Sequence, residues 1–162
     1  MMKVHFPVCC QQIRRLLPIL WFAILSLSCT DFGTAPDFLA DHSSIADPMK
    51  RWEAYAVEDY TILQRHICYC ADRANVLLIT VRSGKIVSIV NPTDSSAFPA
   101  NRRTEYKTIP DLFTLTRSID TAAVYNFQVA YDPRYGYPTY VWVDPSHLVA
   151  DEEYGYETEL IH

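Results

Sequence analysis

The chain has 162 residues, a formal net charge of −5 and 49% apolar residues, among them 11 tyrosines. That is ample material for a folded core and too little chain for two ordinary domains, so one folded domain is expected and a wholly disordered chain is not. An acidic balance without a basic patch argues against nucleic-acid binding.

Lys3, Arg14 and Arg15 give the N-terminus a basic start, Leu16 to Leu27 is an almost unbroken apolar run, and Ser28-Cys29 follows. A positive region, a short apolar region and a small residue at the cut make residues 1–28 an export signal that is cleaved. The run falls short of the ~20 apolar residues a membrane span needs. Cysteine directly after the cut is the arrangement of a bacterial lipoprotein, so Cys29 is expected to carry acyl chains such as palmitate. Several acyl chains anchor stably, where one binds only marginally. In Leu25-Ser26-Leu27-Ser28-Cys29 the leucines sit one position off the usual lipobox spacing, which leaves plain secretion open. The expected location is the bacterial cell envelope, and Thr30 after Cys29 points to the periplasmic face of the outer membrane in a Gram-negative cell.

Residues 29–46 are polar, with Gly, Pro and Ser, and read as a lipidated cysteine followed by a flexible tether. A single domain over 47–162 follows. Asp47-Pro48 suits an N-cap and first helical position, with Met49, Trp52, Tyr55 and Ala56 as an apolar stripe. Tyr60 to Tyr69 reads as a strand, and Val76–Val81 and Ile86–Val90 as a hairpin around Ser83-Gly84. Residues 91–107 read as a long loop. Thr108 and Asp111 are spaced as a capping box for a helix with Leu112, Phe113, Thr116 and Ile119 inside. Tyr125, Phe127, Val129 and Tyr131 alternate with polar or small residues as a half-buried strand. A Pro/Gly turn at 132–136 leads to a strand over Tyr137–Val143, and the last strand runs from Tyr154 to Ile161. The fold class is therefore α+β: an antiparallel sheet of about six strands with two helices packed on one face. Helix and three strands occur twice in succession, which admits an internal duplication.

Removing the signal takes Cys9 and Cys10 with it and leaves Cys68 and Cys70 as the thiol pair of an oxidising compartment. Three readings stand: a local disulfide, buried thiols packed as small apolar groups, and a redox or metal role. A bridge between residues i and i+2 requires a bend, because an extended pair sits at or beyond the usual Cα spacing. So small a ring gains little from loop entropy. His66, Cys68, Cys70 and Asp72 recur at every second residue, but on an ideal strand they span ~20 Å and do not converge on one ion, so no metal site is expected. Tyr131, Tyr135 and Tyr137 flank the Pro/Gly turn, and their functional reading is an exposed aromatic interaction surface. Asp144, Asp151, Glu152, Glu153, Glu157 and Glu159 read as a solvated acidic rim, without the calcium-loop pattern.

Arg51-Trp52, Asp59-Tyr60-Thr61, Cys68-Tyr69-Cys70, Ser83-Gly84-Lys85, Ile109-Pro110-Asp111-Leu112-Phe113, Tyr131-Asp132 with Gly136-Tyr137-Pro138-Thr139, and Asp151-Glu152-Glu153 occur in this order. Over roughly residues 48–162 the chain resembles the bacterial domain-of-unknown-function family 6174, small envelope proteins often made as lipoproteins. The resemblance implies the envelope location and the α+β layout and brings no activity with it. No G-x-S-x-G, P-loop, H-E-x-x-H or C-x-x-C motif is present. The expected function is that of a non-catalytic, lipid-anchored binding domain for an envelope protein or ligand, without cofactor. The alternative is a thiol redox or metal-handling protein using Cys68 and Cys70.

Overall fold

A computed structural model describes residues 38–71 and 73–161. Residues 1–37, which hold the expected export signal, Cys29 and part of the expected tether, lie with Asp72 and His162 outside the described residues. The elements run α1 (Pro48–Ala54), β1 (Tyr60–Ile67), β2 (Val76–Arg82), β3 (Lys85–Val90), a 3-10 helix η1 (Ala100–Glu105), α2 (Ile109–Ser118), β4 (Asn126–Tyr131), β5 (Pro138–Asp144) and β6 (Tyr154–Ile161). The strands form one six-stranded antiparallel sheet in the order β3-β2-β1-β6-β5-β4. The α+β expectation is met. Among the described residues no helix is long and apolar enough to cross a membrane.

Local chemistry sets the element ends. The Asp47 carboxylate accepts from the Lys50 amide at 3.0 Å and starts α1. That helix stops earlier than its apolar stripe suggests, for Ala56 is exposed and left-handed at φ 49°. The Thr108–Asp111 capping box forms as read from sequence and starts α2. Ser83 and Gly84 both have positive φ, 47° and 70°, as a two-residue hairpin turn of the primed kind requires. The expected loop over 91–107 contains η1, closed by the Arg102–Glu105 ion pair at 2.7 Å.

Alternation along β1 buries Tyr60, Ile62 and Gln64, which pair across with Val81, Ile79 and Leu77 of β2. Ile62 and Gln64 also face Leu160 and Thr158 of β6. Trp52 of α1 and Ile109 and Phe113 of α2 join Ile62, Leu77, Ile79, Val81 and Ile89 in one core cluster. Each fully buried aliphatic of this kind contributes about 1.5–3 kcal/mol relative to exposure. The Ile109 amide donates to the Tyr60 hydroxyl at 2.9 Å, and burial pushes that hydroxyl up to about 12.

The two runs of helix and three strands recur in the sheet as β3-β2-β1 and β6-β5-β4, each in the same order. One expectation changes. The described end of the expected tether, residues 38–46, lies against the domain. Phe38 and Ala40 pack on the core, and the Phe38 ring sits 5.7 Å from Tyr135 and 6.4 Å from Tyr55. An aromatic side chain that finds other rings leaves the polar composition around it undecisive.

Candidate functional site

The exposed tyrosine surface does not form. Tyr135 and Tyr137 are 9% and 5% exposed, and Tyr131 is half-buried, stacked on Phe113 at 6.1 Å. The turn explains why. The Asp132 carboxylate accepts from the Arg134 and Tyr135 amides at 2.9 and 2.6 Å, and Gly136 closes the turn at φ 83°. A Cβ at Gly136 would stand 2.2 Å from the Pro48 carbonyl oxygen, so only glycine lets the turn press against α1. Folded back in this way, Tyr137 accepts from the Leu160 amide at 3.1 Å, and burial raises the pKa of its hydroxyl.

The Cys68–Cys70 region develops differently. β1 ends at Ile67 and the chain bends through Cys68-Tyr69-Cys70. The bend holds the two Cα atoms 5.3 Å apart, and the sulfurs are joined as a disulfide. Of the three readings of the pair, the local disulfide is the one observed, with the bend it requires. The expectation that His66, Cys68 and Cys70 cannot converge holds only for a strand that continues. Because the strand stops, their ligand atoms all lie within 4.8 Å of one another, and Cys68 Sγ is 3.6 Å from His66 Nδ1.

His66 is the last core-side position of β1, paired across with Tyr156 of β6. The two rings stack at 5.0 Å with planes 8° apart, and the Tyr106 ring meets His66 edge-on at 6.1 Å. The Tyr156 hydroxyl donates to the Glu105 carbonyl at 2.9 Å, and burial raises its pKa. Hydrogen bonds from Arg102 hold the Glu105 carboxyl below its ordinary value. Tyr106 packs edge-on to Phe98 at 5.1 Å, and the Arg102 guanidinium lies 5.1 Å over Phe98. The imidazole thus sits in an aromatic frame built by β6 and the end of η1. The loop reading missed this frame, although Pro99 followed by the Arg102/Glu105 spacing was a signal for a helical turn. The sulfurs face the rim: Cys68 and Cys70 are half-buried and Tyr69 between them is 69% exposed. Chemically, the group offers two sulfurs and an oriented imidazole.

A groove of about 410 Å³ is lined by Leu63, Arg65, Val76, Tyr140, Glu157 and Glu159. There Arg65 and Glu157 form a two-bond ion pair, one bond of 2.9 Å, which raises the Arg65 pKa further. Asp144, from the acidic rim, is buried and accepts from the Ser146 amide at 3.2 Å. Among the described residues only His66, Cys68 and Cys70 form a group of three such ligands.

Neither a curated protein nor a solved structure matches the chain. With residues 44–162 matched, a stretch that holds both α-helices and all six strands, the chain belongs to the family of unknown function DUF6174.

Proposed function

We propose that this is an exported, lipid-anchored envelope protein which engages partner proteins through stoichiometric thiol–disulfide exchange at Cys68–Cys70. One observation carries the reading: a disulfide across residues two apart, on a half-buried bend, with an imidazole 3.6 Å from one sulfur. A ring this small restricts the unfolded chain little, so the bond contributes little to holding the fold. An adjacent imidazole favours the thiolate that leaves when the bond is attacked. In the exchange, a thiolate of a partner dithiol attacks Cys70 Sγ, the S–S bond breaks, and Cys68 leaves as thiolate and takes a proton. The partner's second thiol then displaces Cys70. The partner is oxidised by two electrons to a disulfide, and Cys68 and Cys70 are left as thiols. The tyrosines read from sequence as an interaction surface take no part in this reading, for Tyr135 and Tyr137 are buried and Tyr131 is half-buried.

The test is to equilibrate the full chain in dithiol redox buffers and count maleimide adducts on Cys68 and Cys70. Structural disulfides have potentials below about −300 mV, and this pair should open at a less reducing poise. A pair that remains closed until the poise at which structural disulfides open overturns the exchange reading.

The anchor has its own test. The basic start, apolar run and Cys29 support export and lipidation. Cells fed radioactive palmitate should label the chain, and Cys29→Ser should abolish the label and release the protein from membranes. Membrane attachment unchanged in Cys29→Ser would sink the lipid anchor.

A further inference from the structure

We infer that, once reduced, Cys68 and Cys70 hold one Cu(I) ion together with His66 Nδ1, so that opening the disulfide creates a copper site and closing it expels the metal. The inference rests on the exchange reading for its redox step and on independent geometry for the metal.

Metal–nitrogen and metal–sulfur bonds of ~2.0–2.3 Å, spread by about 110–120°, place two donor atoms about 3.6–3.8 Å apart. Cys68 Sγ and His66 Nδ1 are already 3.6 Å apart. Cys70 Sγ completes a group within 4.8 Å, and opening the S–S bond lets the sulfurs separate to ligand spacing by side-chain rotation. The third donor is oriented, for Tyr156 stacks on the His66 ring at 5.0 Å and Tyr106 flanks it at 6.1 Å. A ring held in place before the metal arrives loses little freedom on binding.

The donor set selects the ion. Two thiolates and an imidazole are soft to borderline ligands, which suit Cu(I) and zinc and not magnesium or calcium. With three protein ligands zinc keeps an open fourth position for water or substrate, and His66, Cys68 and Cys70 are the three that gather among the described residues. Cu(I) is satisfied by three. The step balances without further redox chemistry: two thiols and a neutral imidazole bind Cu(I) and release two protons. The two electrons that opened the disulfide came from the partner dithiol.

The full chain, purified in detergent, is reduced with a phosphine, freed of reductant and titrated anaerobically with Cu(I) against a chromogenic chelator. Cys9, Cys10 and Cys29 also bring thiols where present, so the Cys68→Ser/Cys70→Ser variant sets the background. One Cu(I) per chain is expected above that background in the reduced chain and none in the oxidised chain. His66→Phe keeps a ring to stack on Tyr156 and loses the nitrogen. Removing groups that merely orient a ligand costs 10–100-fold in affinity, so losing the ligand itself should weaken binding by about 100-fold, with the thiol count unchanged. No excess copper over the double variant, full affinity in His66→Phe, or one-for-one replacement by Zn(II) overturns the site. A pair that dithiols open but that takes no Cu(I) defeats this inference alone. A pair that only phosphine opens, yet loads with copper, defeats the exchange reading alone. A pair that stays closed to both defeats the two together.

Discussion

Gly155→Ala should destabilise the domain by about 3–5 kcal/mol, at the large end of what single substitutions do. Gly155 lies in β6 opposite Trp142 of β5. A Cβ there would stand 2.0 Å from the Val141 carbonyl oxygen, 2.9 Å from its carbon and 3.0 Å from the Trp142 Cα. All three are backbone atoms, so no side-chain rotation relieves the overlap. The two strands must move apart where Val141 and Val143 are fully buried. This seam joins β5 and β4 to the rest of the sheet, so loosening it removes ladder hydrogen bonds and apolar contacts together. In denaturant titration the midpoint should fall with the slope unchanged, since the surface exposed on unfolding is the same. A loss under about 1 kcal/mol would show that the seam accommodates the methyl and refute the argument.

The features legible in sequence are those that nearby residues decide. Asp47-Pro48, the Thr108–Asp111 box and Ser83-Gly84 act within four residues, and each forms as read. Phe127, Val129 and Tyr131 alternate half-buried with exposed neighbours, because one face of β4 meets the protein. What sequence did not disclose depends on distant partners. Nothing local places β1 beside β6, and that pairing brings Tyr156 onto His66. Tyr135 and Tyr137 look like surface residues until Gly136 folds their turn against Pro48. The candidate site was half legible. Cys68 and Cys70 stood out, and the need for a bend between them followed from spacing alone. Their convergence with His66 turned on a single fact, the end of β1 at Ile67, and strand ends are weakly encoded.

Gln64 is the residue whose role the alternation pattern hides most completely, and Gln64→Leu should cost about 2–4 kcal/mol although it makes β1 more apolar. The side chain is 0% exposed at an inward position between Ile62 and His66. Its carbonyl oxygen accepts from the Lys107 amide at 2.9 Å. Its amide group donates to the Lys107 carbonyl at 3.1 Å and to the Thr158 hydroxyl at 3.2 Å. One side chain therefore imitates a strand neighbour for the segment between η1 and α2 and ties it to β1 and β6. Leucine fills a similar volume but leaves the Lys107 backbone groups and the Thr158 hydroxyl without that partner. Each buried group so stranded costs about 1–3 kcal/mol, less where water reaches it, as at half-buried Lys107. Lys107 follows Tyr106, so amide exchange at Tyr106 and Lys107 should accelerate beyond what global destabilisation explains. Replacing Thr158 with Val in the Gln64→Leu background should recover part of the loss, because the stranded hydroxyl goes with its partner. A Gln64→Leu protein as stable as the parent, with unchanged exchange at Lys107, would mean that the amide fills space and does not organise the wall beside His66.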